Sequence, residues 1–163
     1  MIEVATDGSS LGNPGPSAWA WYVSDNRWQS GYIGKGTNNQ AELMAIRAAA
    51  ATIPSRLEVL CYVDSQYAIQ CLTRGRGGFL SGWEVNGKLA QNLVANAALI
   101  QETLAILDSR QGAWVFQWVK GHRGHPLNSE ADKLANTAAG FTVISPTIFG
   151  PGWSISKKRA SHR

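Results

Sequence analysis

Four carboxylates stand where an acid can do chemistry. Asp7 closes the run I-E-V-A-T-D, and Asp64 closes L-E-V-L-C-Y-V-D. Glu42 lies early in A-E-L-M-A-I-R-A-A-A-A-T-I, and Asp132 lies in N-S-E-A-D-K-L-A. Each has an ordinary reading. Asp7 can start a turn, and Asp64 can cap the segment that opens at Ser65. Glu42 follows Asn39 at the N-x-x-E spacing of a capping box, and Asp132 can be a solvated helix residue. Taken together they point elsewhere. Four acids at one edge repel, and their pKa values rise unless a cation neutralises them. Oxygen-only ligands favour Mg²⁺ or Mn²⁺ over zinc. Two such ions about 3.5–4 Å apart are the usual device for in-line attack on a phosphodiester.

The acids meet only if the elements that carry them converge. Residues 2–6 read as a short buried strand. Ser17 to Val23 alternates Trp with Ala and ends in S-D-N, a turn signal, and Arg27 to Gly34 reads as the next strand of an antiparallel meander. The period then changes. Ala41 to Ile53 is rich in helix formers and is stopped by Pro54. Leu57 to Val63 reads as a buried strand, Ser65 to Leu72 as a helix, Gln91 to Leu107 as a long helix and Ala113 to Val119 as the fifth strand. Asn128 to Ala139 reads as a helix N-capped by Asn128 and ended by Gly140. Residues 73–88 are Gly-rich without a clear period, and Lys120 to Pro126 reads as a mobile loop. The expected fold is α/β: a five-stranded mixed sheet flanked by helices. The first three strands are antiparallel, and right-handed crossovers set the fourth and fifth parallel to the first. Asp7 and Asp64 then share the carboxyl edge of neighbouring strands, where such sheets bind ligands. Helices on either flank can bring Glu42 and Asp132 to the same edge.

The totals narrow the class. A chain of 163 residues, 44% of them hydrophobic, can bury one real core and is not compositionally disordered. No apolar run approaches the roughly 20 residues that span a bilayer. The opening residues lack a basic segment followed by an apolar stretch, so no signal peptide is read. Cys61 and Cys71 show no C-x-x-C pairing and read as reduced core thiols of a cytoplasmic protein. The net charge of +4 is concentrated at one end. Lys157, Lys158, Arg159 and Arg163 account for it, and the remaining basic and acidic residues balance. A uniformly basic nucleic-acid binder is therefore excluded. If several acids gather in one site, however, the rest of the surface is net positive and compatible with a polyanion.

Four segments in order carry a family resemblance: T-D-G-S-S-L-G-N-P-G, T-N-N-Q-A-E-L, V-D-S-Q-Y and V-K-G-H-R-G-H-P-L-N-S-E-A-D-K-L-A. Together they resemble ribonuclease H of type 1, over residues 2 to about 140. The resemblance implies the ribonuclease H-like fold for a domain spanning 1–140, with 141–163 as a C-terminal tail. It implies a monomer that cuts the RNA strand of an RNA–DNA hybrid with divalent metal, Mg²⁺ or Mn²⁺ in its place, leaving 5′-phosphate and 3′-hydroxyl ends. Asp7, Glu42, Asp64 and Asp132 match the family's metal-ligating acids, with Asp7 shared between two ions. His122 matches a loop histidine that assists turnover. Gly8, Ser9 and Ser10 match a stretch whose small side chains admit a minor groove and whose backbone groups can bond ribose 2′-hydroxyls. Asn13, Asn39 and Gln66 match groove contacts. Thr37 and Asn38, at a helix N-terminus, match a pocket for a DNA-strand phosphate.

The sequence also departs from that pattern. Many bacterial members carry a protrusion dense in Lys and Arg, and residues 74–91 here hold only Arg74, Arg76 and Lys88, opposed by Glu84. Trp83 matches an aromatic that can stack on a deoxyribose, or it is a core residue of that segment. The basic end, Lys157 to Arg163, is either a sequence-independent phosphate contact or a solvated terminus. Two other functions remain open on this fold: a different metal-dependent phosphoryl transferase, or a hybrid-binding module without catalysis.

Overall fold

The computed structural model describes residues 1–73, 96–120, 124–140 and 147–149. Strands β1 (Ile2–Ser10), β2 (Gly15–Ser24) and β3 (Arg27–Gly36) form the antiparallel meander. Helix α1 (Asn38–Thr52) crosses back to β4 (Val59–Val63), which pairs parallel to β1. Helices α2 (Gln66–Thr73) and α3 (Ala97–Ser109) precede β5 (Trp114–Trp118), parallel to β4. Helix α4 (Pro126–Ala139) follows, and β6 (Thr147–Phe149) pairs antiparallel to β3. The strand order is β5-β4-β1-β2-β3-β6. The expected five-stranded mixed sheet is its core. β6 is an addition, lying within the segment read as a tail.

Both faces of the central strands are covered, which is why β1 is buried along consecutive residues and not at alternate ones. On one face, Val4, Trp19, Trp21, Val59, Cys61 and Val63 pack against Leu43 and Ile46 of α1, against Ile53 at its C-cap and against Ile100, Leu104 and Leu107 of α3. On the other face, small contacts sit among larger side chains, Leu127 and Leu134 beside Trp28 and Tyr62. Ala5 and Tyr22 meet Ala131, and Ala18 meets Ala138 and Ala139. Alanine on alanine lets α4 lie close to the sheet, and closeness there decides where Asp132 sits. Cys61 and Cys71 are free and buried, in agreement with their reading as core thiols.

Several boundaries differ from expectation for physical reasons. β1 runs on to Ser10, because Gly8, Ser9 and Ser10 are registered against Trp19, Ala18 and Ser17 of β2. Pairing there overrides the low strand propensity of Gly and Ser. α1 starts at Asn38, and its cap is Thr37, whose Oγ1 accepts from the Gln40 amide at 3.1 Å. The Asn39–Glu42 capping box does not form. α4 starts at Pro126 and is capped by His125, not by Asn128. The long helix read from Gln91 is described from Ala97, and residues 91–95 lie outside the described residues. Among the described residues no helix is long and apolar enough to cross a membrane.

Candidate active site

Strand register brings the first two acids together. Thr6 pairs with Val63 at the end of the β1–β4 ladder, so the next residues along each chain are Asp7 and Asp64. Asp64 is not needed as a helix cap, since Ser65 Oγ takes the Ala68 amide at 3.1 Å. Trp118, at the end of β5, donates its indole Nε1 to the Asp64 carbonyl at 3.2 Å and ties that turn to the next strand.

Glu42 arrives from the opposite side of the sheet, and Gly8 admits it. A Cβ on Gly8 would lie 2.5 Å from the Glu42 nitrogen and 2.6 Å from the Ala41 carbonyl carbon. Both are backbone atoms of α1, so any side chain at position 8 pushes the helix off the strand. The smallness of Gly8, expected to serve substrate approach, therefore first serves helix approach. Ligand oxygens of Asp7, Glu42 and Asp64 lie within 4.8 Å of one another. Asp132, on the α4 face, stands outside that tight trio, but it is near enough to Asp7 to help raise its pKa.

The electrostatics follow from burial. Asp7 is 1% exposed, and Glu42 is nearly as hidden. Burial raises the Asp7 carboxyl far above the carboxylate range, and the charges of Glu42 and Asp64 raise it further. Burial and then Asp64 push Glu42 up to about 8, although hydrogen bonds from Asp7 and the Gly8 amide pull the other way. Asp7 Oδ2 and Glu42 Oε1 are buried and meet no hydrogen-bond partner among the described residues. Acids so placed hold their protons or hold a cation.

The expected contact residues surround this centre unevenly. Ser9 is buried and donates from Oγ to Asn136 Oδ1 of α4 at 2.5 Å. Ser10 Oγ accepts from Ser17 Oγ at 3.0 Å. Asn13 Oδ1 accepts from the Asn38 amide at 3.1 Å, so the first turn of α1 already holds one polar oxygen. Asn39 and Gln66 are exposed near the starts of α1 and α2. His122 and Trp83 lie outside the described residues. Three residues at the site were not singled out from sequence: His125, Asn136 and, for its hold on Asp64, Trp118. For His125 a signal was present, because Pro126 marks a first helical position and so a cap one residue earlier.

A family model for RNase H matches residues 1–140. The chain belongs to the RNase H family. The Ribonuclease H of Tropheryma whipplei (strain Twist) is 43% identical over 157 residues, spanning 94% of each chain. The Ribonuclease H of Escherichia coli O139:H28 is 36% identical over 161 residues, 95% of this chain and 97% of that one. Among solved structures, LC11-RNase H1 in complex with RNA/DNA hybrid is 25% identical with a TM-score of 0.55, covering 84% of this chain and 95% of that one. Membership of the RNase H family makes the chain a nuclease and a hydrolase.

Proposed function

We propose that the chain hydrolyses the RNA strand of RNA–DNA hybrids endonucleolytically, with divalent cations held by Asp7, Glu42, Asp64 and Asp132. The observation that carries this reading is the convergence of ligand oxygens from Asp7, Glu42 and Asp64 within 4.8 Å. The site fits a hard cation: its donors are carboxylate oxygens, and two buried oxygens in it lack a hydrogen-bond partner among the described residues. That donor set suits Mg²⁺, with Mn²⁺ as a substitute. When bound there, two such ions would supply an activated water and charge neutralisation at the departing 3′ oxygen, which would leave 5′-phosphate and 3′-hydroxyl ends.

The chain's own residues then select and hold the duplex. A 2′-hydroxyl is what separates RNA from DNA, and the backbone of Gly8, Ser9 and Ser10 offers it both donors and acceptors. Asn13, Asn39 and Gln66 face the groove side. Thr37 and Asn38 hold a DNA-strand phosphate at the N-terminus of α1, where a phosphate oxygen takes the Asn38 amide from Asn13. His122 assists turnover, and Trp83 stacks on a deoxyribose. The protein works as a monomer in the cytoplasm.

A substrate panel tests this. Hybrid, double-stranded DNA, double-stranded RNA and single-stranded RNA are incubated with Mg²⁺ or EDTA, with Asp7→Asn as control. Cutting confined to the RNA of the hybrid, with metal and with the unmutated chain, is the expected result. Binding of the hybrid without cleavage in Mg²⁺ and Mn²⁺ replaces the enzyme with a binding module.

A further inference from the structure

The acids on β1, β4 and α1 are fixed by strand register and by the close approach at Gly8. Asp132 rides on α4, which packs on the sheet through Ala131, Ala138 and Ala139 and through Leu127 and Leu134 beside Tyr22, Trp28 and Tyr62. Two polar contacts also hold that helix, on either side of Asp132. Beyond it, Asn136 accepts from Ser9 Oγ at 2.5 Å. Before it, His125 Nδ1 accepts from the Asn128 amide at 3.2 Å and caps the helix. The His125 ring also packs on Tyr62 of β4, with centroids 4.2 Å apart and planes at 54°. Tyr62 in turn donates to Glu3 of β1 at 2.8 Å and stands two residues before Asp64. His125 thus joins the first turn of α4 to the strands that carry Asp7 and Asp64. At about 100° per residue, positions 125, 132 and 136 fall on one side of the helix.

We propose that His125 is a positioning residue: through its Nδ1 cap and its Tyr62 contact it sets the rotation and height of α4, and so holds the Asp132 carboxyl against Asp7. Histidine is an uncommon choice for this place, where Ser, Thr, Asp or Asn caps as well. The ring gives what those lack, a flat face that reaches β4. This inference rests on the reading of Asp132 as a metal ligand, and the test separates the two.

Three variants divide the contributions. His125→Asn keeps a capping oxygen and loses the ring, His125→Phe keeps a ring for Tyr62 and loses the cap, and His125→Ala loses both. The first readout needs no metal: the ¹³C shift of the Asp132 carboxyl in the metal-free protein. It should move furthest in His125→Ala and by less in His125→Asn and His125→Phe, each of which keeps one of the two contacts. The second is Mn²⁺ affinity by calorimetry, and the third is kcat against KM for hybrid cleavage. In His125→Ala, metal affinity and kcat should each fall roughly 10-fold or more while KM stays within about twofold, the range seen when outer supports of a metal ligand are removed. His125→Asn and His125→Phe should each recover part of both. An unmoved Asp132 shift with parent metal affinity in a folded His125→Ala overturns the proposal. So does a His125→Asn variant as impaired as His125→Ala. If the parent protein binds no Mn²⁺ and cuts no hybrid, the proposed function fails, and the Asp132 shift still decides whether His125 sets the helix.

Discussion

At the scale of the residue, the site is a set of acids whose protonation is costly to change without a cation. Glu42 is an ordinary carboxyl near 4.5 when unfolded and is raised to about 8 in the fold, and Asp7 is raised as well. A folded pKa above the unfolded one means that the proton stabilises the fold. That contribution is complete below about 4.5 and is lost as pH climbs through about 8, at up to about 1.4 kcal/mol per pH unit for each group. In EDTA the thermal midpoint should therefore fall as pH rises from about 5 to 8. Mg²⁺ should flatten the fall, and Asp7→Asn should both flatten it and raise the midpoint at pH 8. A level profile in EDTA for the parent protein would show that the acids do not interact as placed. Each of the four was legible in the sequence as an acid at an edge or in a helix. Their convergence was not, because it depends on register and on how closely two helices approach, neither of which one residue encodes.

At the scale of the element, close approach and end-capping do the positioning. Gly8→Ala puts a methyl group 2.5 Å from the backbone of α1. Overpacking of that kind costs roughly 1–3 kcal/mol, and here it also displaces Glu42. The variant should lose stability in urea melts and lose kcat by more than its stability loss explains; parent kcat would mean that α1 tolerates the shift. At the far end of α1, Arg110 donates to the carbonyls of Ala50, Ile53, Pro54 and Leu57 at 2.8–3.0 Å, and its guanidinium lies 5.0 Å from the Trp114 ring centroid. Removing that fork leaves several carbonyls unpaired. Arg110→Ala should cost about 2–4 kcal/mol in denaturant unfolding, and Arg110→Lys should restore less than half, since one ammonium cannot reproduce the fork. Element types were legible wherever a hydrophobic period was long, as in α1. Ends were not. Asn39 and Glu42 have the capping spacing, yet Thr37 takes the role because β3 runs to Gly36 and leaves the next residue to start the helix. Three residues of β6 are too short to show a period, and their strand identity comes only from pairing with β3.

At the scale of the molecule, basic and acidic residues balance over residues 1–156, and the net charge lies at the end. Salt slopes count phosphate contacts, at roughly 0.9 per contact for a duplex. Hybrid binding by a chain cut before Lys157 should show a shallower slope than the intact chain, and equal slopes would leave the basic end as solvated terminus. The mixed sheet could be foreseen because strand and helix periods alternate after residue 36, which forces crossovers and parallel pairing. The central proposal is that four acids from four elements form a divalent-cation site that cuts RNA paired to DNA. Single-turnover cleavage of a hybrid labelled on its RNA strand, titrated with Mg²⁺ for the parent, Asp7→Asn and Asp132→Asn chains, tests it most directly. Mg²⁺-dependent cutting by the parent, products with 5′-phosphate and 3′-hydroxyl ends, and rates at least ~100-fold lower for both variants are expected if each variant removes a metal ligand. Cleavage that persists in EDTA, or parent rates from Asp7→Asn, would contradict it.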